Sequence, residues 1–186
     1  KGKTVRMTLV SLVLALCVST AEAVIDGVQG PIFNMTAWDD RVSTADGNSV
    51  YFWGYGISGG TTQYPGPTML VNQGETVTVN LTNNLAEATS IVFPGQIGVS
   101  TSNGVPGLLT SEAAANGGTV SYSFVASRAG TFQYHSGSNM DKQIEMGLLG
   151  VLIVRPAAAN QAYEHADSRY DREYLYLMTE MNLKTH

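Results

Sequence analysis

Residues 76–82 read Thr-Val-Thr-Val-Asn-Leu-Thr, and this strict alternation constrains the chain more than any other feature. On an extended backbone Val77, Val79 and Leu81 fall on one face and Thr78, Asn80 and Thr82 on the other. A helix would turn Val79 away from Val77 and Leu81, so the period of two predicts a half-buried strand, ended by Asn83-Asn84. Residues 119–125 repeat the pattern, with Val120, Tyr122 and Phe124 on one face. Arg128-Ala129-Gly130 then turns the chain into a further run, residues 131–135. Residues 148–154 are apolar on both faces, as a central strand of a sandwich would be. Residues 50–53 form another short run. The glycines at 54, 56, 59 and 60 read as a flexible connection to the turn at Tyr64-Pro65-Gly66-Pro67. One short helix is predicted over residues 139–146. Short, regularly spaced strands joined by Gly, Pro and Asn turns point to an all-β fold, a Greek-key β-sandwich.

The chain's start reads differently. Lys1, Lys3 and Arg6 precede an almost wholly apolar run over residues 7–18, and Ala21-Glu22-Ala23 matches a cleavage pattern. We read residues 1–23 as a cleavable signal helix, too short to span a bilayer comfortably, with export to the periplasm or the outside of the cell. No membrane partner is expected after cleavage. The only cysteine, Cys17, lies inside this segment, so the mature chain has neither a thiol nor a disulfide to offer. Charged residues make up 13% of the chain and the net charge is −5, which sets nucleic acid aside as a partner.

Residues 24–159 are expected to form one domain, whose end runs into the small-residue stretch Pro-Ala-Ala-Ala-Asn-Gln (156–161). Residues 160–186 then read as a polar linker and one more strand, "YLYLMTEMN", without a partner element after it. An unpaired apolar strand of this kind suggests the opening of a second domain and favours edge-to-edge association.

Several of these stretches together resemble a known family. "YPGPTMLVNQGETVTVNLTNNL" (64–85) is similar to the opening of the N-terminal cupredoxin, or plastocyanin-like, domain of multicopper oxidases. "GGTVSYSFVASRAGTFQYHSG" (117–137) resembles the hairpin that follows, and "MGLLGVLIVRP" (146–156) the closing strand. "YDREYLYLMTEMNLKTH" (170–186) is similar to the segment that opens the family's second domain. The resemblance implies a cupredoxin-like sandwich and a parent protein that is a copper-dependent oxidoreductase of two or three such domains. The parent's partners would then be its downstream cupredoxin domains and a small-molecule reductant.

In the family this domain supplies two H-x-H pairs to a three-copper cluster. Here the first pair falls on Val92 and Pro94, in "VFPGQ", and the second on His135 and Gly137, in "YHSGSNMDKQIEMGLLG". His135 is the one inherited position that keeps an imidazole, and "VFPGQ" with the "MGLxG" stretch resembles a subgroup with degenerate ligand motifs. A blue-copper site needs a cysteine, which the mature chain lacks. The metal candidates are therefore His135, with the thioethers of Met140 and Met146 as weak additions, and no catalytic or cofactor-binding residue is expected. On this reading the parent's copper lies in other domains and the stretch alone is inactive. The alternative is a metal-free structural or interaction module that has kept the fold and lost the chemistry. His165, among acidic neighbours, reads as solvated, while His186 matches a family "x-H" position. Asp141, Lys142, Gln143 and Glu145 read as a solvated helix face. Asn34-Met35-Thr36 and Asn80-Leu81-Thr82 match the glycosylation pattern. No G-x-S-x-G elbow is present, and Ser136 beside His135 on an extended segment need not meet it.

Overall fold

A computed structural model describes residues 24–182 and 186. The segment read as a signal, residues 1–23 with Cys17, lies outside the described residues. The expected sandwich is present. One sheet has the strand order β1-β4-β9-β8 and the other β3-β2-β5-β7-β6. In chain order the strands are β1 (Val28–Gln29), β2 (Ile32–Ser43), β3 (Ser49–Ile57), β4 (Met69–Asn72), β5 (Thr76–Asn83), β6 (Ser100–Ser102), β7 (Gly118–Val125), β8 (Gly130–His135) and β9 (Leu149–Arg155), with helix α1 (Met140–Glu145) before the last. β1 with β4, β4 with β9 and β2 with β5 are parallel pairs, so the chain repeatedly crosses from one sheet to the other.

The alternating run at β5 does what its pattern dictates. Val77, Val79 and Leu81 are buried in the core between the sheets, together with Phe33, Met35, Tyr122, Tyr134 and Leu152. β9 is buried along nearly its whole length because the sandwich covers one face and the C-terminal segment the other.

One strand that the sequence pattern does not signal appears here, and one reading of the sequence changes. β2, the longest strand, carries only a weak propensity signal because its inward residues are Phe33, Met35 and Ala37 rather than a β-branched series. Gly54 and Gly56 are not a flexible connection but lie inside β3, because residues 61–63 cross so closely that a side chain at either position would strike their backbone.

α1 ends at Gly147, whose φ of +117° is left-handed. Leu148 donates back to the Gln143 carbonyl at 2.9 Å, closing the last turn as a helix-ending glycine does.

After β9 the chain folds back as an extended strap. Residues 174–182 belong to no sheet; Leu175 and Leu177 pack on Leu70, Val151 and Ile153, on the outer face of the four-stranded sheet. Arg155 clamps the strap's start by hydrogen bonds to Glu173 (2.5 and 3.1 Å) and Tyr170 (2.9 Å), and the Ile25 amide donates to the same carboxylate at 3.2 Å. The two leucines are therefore not a free apolar edge, whereas Tyr174, Tyr176 and Met178 between and beside them point outward. Among the described residues no helix is long and apolar enough to cross a membrane.

Candidate functional site

The two stretches that carry the degenerate ligand motifs meet in space. β8 ends at His135, and its free edge is taken by Val92, which pairs with His135 as an isolated antiparallel bridge. The Val92 amide donates to the His135 carbonyl at 2.8 Å and the His135 amide returns to the Val92 carbonyl at 3.3 Å. "VFPGQ" can follow this edge because it turns immediately. Gln96 N–H donates to the Phe93 carbonyl at 3.0 Å, and Gly95 at φ +88° lies where a Cβ would come within 2.6 Å of the Phe132 ring.

The donor chemistry of this edge is thin. His135 is half-buried and its Nδ1 is 2.9 Å from the Ser136 carbonyl. Val92 and Pro94 present hydrocarbon, and Gly137 presents nothing. The vacated position at 137 is also filled: a Cβ there would lie 2.7 Å from Val92 Cγ1 and 3.1 Å from Ser90 Oγ. Among the described residues no three His, Cys, Asp or Glu side chains converge. Met146 is packed into the main core, and Met140 opens α1 with its side chain partly exposed. The residues present at this edge do not fit the three-copper cluster that the family resemblance implies.

What lies behind the edge is a buried hydrogen-bond network. Thr89 and Ser136 hydroxyls donate to Gln143 Oε1 at 2.8 and 2.6 Å, and Gln143 Nε2 donates to the Ala88 carbonyl at 2.9 Å. Ser138 Oγ donates to Glu112 Oε1 at 2.6 Å and sits 2.9 Å from Ser90 Oγ, which in turn accepts from the Gly137 amide at 3.2 Å. Gln143 is only 1% exposed, so it belongs to this network and not to a solvated helix face. Below it Tyr55 donates to the Ser90 carbonyl and Tyr134 to the Pro67 carbonyl, each at 2.7 Å, while Tyr122 donates to the Ser111 carbonyl at 2.9 Å and accepts from the Ile91 amide at 3.0 Å. Burial pushes all three phenols well above the ordinary tyrosine range, so they act as neutral donors. The network satisfies polar groups that burial would otherwise leave unpaired and pins the two stretches to each other. Single Ser and Thr residues in irregular segments and one Gln in a six-residue helix show no periodicity, so nothing in the sequence marks them as buried.

The remaining neighbours of the edge are also tied up. Lys142 pairs with Glu87 and lies 4.7 Å over the Trp53 ring, and Glu145 Oε1 accepts from the Asn182 amide at 2.6 Å. Ser136 Oγ is bonded to Gln143 and not to His135, so no nucleophile–base pair forms. His165 lies exposed in the linker beside Tyr163. The His186 ring is buried, with Nδ1 2.5 Å from the Tyr51 carbonyl and Nε2 3.0 Å from the Glu145 carbonyl. A groove of about 690 Å³ lies between the strap, β9 and the turn over residues 63–68, lined by Asp26, Tyr64, Thr68, Val151, Leu175 and Leu177.

Comparison with known proteins places this arrangement. The family model described as multicopper oxidase matches residues 36–159. The copper resistance protein A homolog of Pseudomonas syringae pv. tomato is 33% identical over 155 residues, covering 83% of this chain and 24% of that protein. The L-ascorbate oxidase of Cucumis sativus is 36% identical over 129 residues, covering 67% of this chain and 20% of that enzyme. Among solved structures, a multi-copper oxidase from Pseudomonas thermotolerans superposes with a TM-score of 0.59 at 25% identity, over 73% of this chain and 31% of that one. A copper nitrite reductase from Nitrosomonas europaea does so with a TM-score of 0.57 at 28% identity, over 72% and 43%. The chain thus spans about a quarter of the first relative's length and a fifth of the second's.

Proposed function

The chain belongs to the multicopper oxidase family, and from that premise we propose that it is the amino-terminal cupredoxin domain of an exported multicopper-oxidase-like protein whose copper is held in other domains. The reading assigns residues 1–23 to the signal, 24–159 to the domain and 160–186 to the passage into a second cupredoxin domain. Its partners are the downstream domains, with a small-molecule reductant for the whole protein, working in the periplasm or outside the cell. The domain's own part is that of a scaffold. It keeps the family's sandwich and closes the edge where the resemblance would put ligand pairs.

The observation that carries this reading is the Val92–His135 edge. One imidazole stands where four would be expected, and the Val92 side chain takes up the room beside Gly137. A copper cluster needs several imidazoles converging, and a lone histidine does not substitute for them. The same observation favours the second reading, a cupredoxin-fold module with no copper chemistry anywhere in its parent. The gene's reading frame past His186 separates the two. H-x-H pairs and an H-C-H segment downstream support the oxidase, and their absence supports the module. A reading frame that continued into an unrelated fold would contradict the oxidase reading.

A further inference from the structure

The chain contains two Asn-Gly pairs, Asn103-Gly104 and Asn116-Gly117, and every other asparagine is followed by a residue with a side chain. Glycine matters at that position because no Cβ keeps its main-chain nitrogen from approaching the asparagine side chain. Both asparagines are exposed and stand at positive φ, +62° and +59°, a conformation that Asn tolerates. The following nitrogens differ. The Gly117 amide donates to the Asn83 carbonyl at 2.6 Å, and the Asn116 amide donates to the Leu85 carbonyl at 2.9 Å, so this pair is stitched to the end of β5 and the turn after it. The Gly104 amide has no hydrogen-bond partner among the described residues, and it lies in the exposed turn that follows β6. Packing also imposes the glycine at 104. A Cβ there would lie 2.8 Å from Val120 Cγ2 and 2.9 Å from the Glu112 carbonyl oxygen.

We propose that Asn103 is a site of spontaneous deamidation in the folded chain, whereas Asn116 is protected by the fold. Gly104 N gives up its proton to a solvent base and bonds to Asn103 Cγ. The Cγ–Nδ2 bond breaks, Nδ2 leaves as ammonia, and a five-membered cyclic imide remains. Water then adds to one of the two imide carbonyls. Opening at Cγ leaves an aspartate at 103, and opening at the main-chain carbonyl leaves an isoaspartyl link that runs through Cγ. Water is the only co-reactant and nothing is oxidised or reduced. The proton that must be lost first is held by a hydrogen bond at Gly117 and by none at Gly104, the same distinction that governs amide exchange. Either product places a negative charge on the turn, and the isoaspartyl form adds one atom to the backbone where it is most tightly packed. Val105 and Glu112 exchange main-chain hydrogen bonds of 2.9 and 2.8 Å just beyond it, and the Glu112 carboxylate accepts from Ser138 Oγ. A lengthened turn therefore pulls on the buried network behind the Val92–His135 edge.

This modification does not depend on the copper reading. The test is to hold the purified chain in warm, mildly alkaline buffer, with a parallel sample in denaturant, and to follow the two asparagine-bearing peptides by mass spectrometry. Isoaspartyl residues are counted by enzymatic methyl transfer. In the folded chain, conversion at Asn103 is expected to outpace conversion at Asn116 by about tenfold, the rate effect of one hydrogen bond of typical strength. The two rates should converge in denaturant, where neither glycine amide is held. Equal conversion at the two sites in the folded chain, or faster conversion at Asn116, would overturn the proposal. So would an Asn103 that is converted only in denaturant. A ratio that persists unchanged in denaturant would also overturn it, by assigning the difference to local sequence and not to the fold.

Discussion

At the scale of single residues, Val92 and Gly137 act as one unit. The Val92 side chain occupies the space that a side chain at position 137 would need. A methyl added at 137 forces Val92 to move in a packed site, a cost of about 1–3 kcal/mol for Gly137→Ala. Val92→Ala alone leaves a small void and costs about 1–2 kcal/mol. Because the added and removed atoms share the same space, the double substitution should cost clearly less than the sum, with a coupling of at least about 0.5 kcal/mol in a double-mutant cycle read by chemical denaturation. Strict additivity would show that Val92 does not fill the vacated position. The lost ligands themselves were legible, because Val, Pro and Gly carry no donor atom wherever they fold. The filling of the site was not, since it depends on a pairing between residues far apart in sequence. The burial of Ser90, Ser136, Ser138 and Gln143 was hidden for the same reason.

At the scale of elements, alternation decided what could be read. β5, β7 and β9 were visible from their patterns, and β8 from the turn that precedes it. β2 was not, because its inward face uses Met and Ala, and the tightness at Gly54 and Gly56 is set by a crossing segment. The strap shows how an apolar run can be read as a strand while its burial is settled by tertiary contacts. Its clamp predicts a pH dependence. Burial raises the Glu173 carboxyl, but hydrogen bonds from Arg155 and from the Ile25 amide together outweigh this, and its net shift is below the ordinary value of 4.5. A carboxyl lowered in the folded state contributes stability above the ordinary value and loses it as pH falls through the lowered one. The strap should therefore resist proteolysis or amide exchange over residues 160–182 near neutral pH and loosen below about pH 4.5. Glu173→Gln should loosen it at neutral pH and flatten the acid response. An unchanged acid response in that variant would show that other groups hold the strap.

At the scale of the whole molecule, the fold and the chemistry have separated. The chain folds as the sandwich of its family, whereas the side chains that meet between the two motif-bearing stretches form a hydrophobic and hydroxyl-lined seam. Among the described residues no set of His, Cys, Asp or Glu side chains converges to hold a copper cluster. The measurement that bears most directly on this is copper retention. Purified chain is loaded anaerobically with Cu(I) and separately with Cu(II), desalted, and its metal content determined by mass spectrometry alongside oxygen uptake with a phenolic donor. The account predicts far less than one copper per chain, no oxygen uptake, and no difference between the chain and its His135→Ala variant. Close to one retained copper per chain, lost in His135→Ala, would contradict it and make the Val92–His135 edge a metal site.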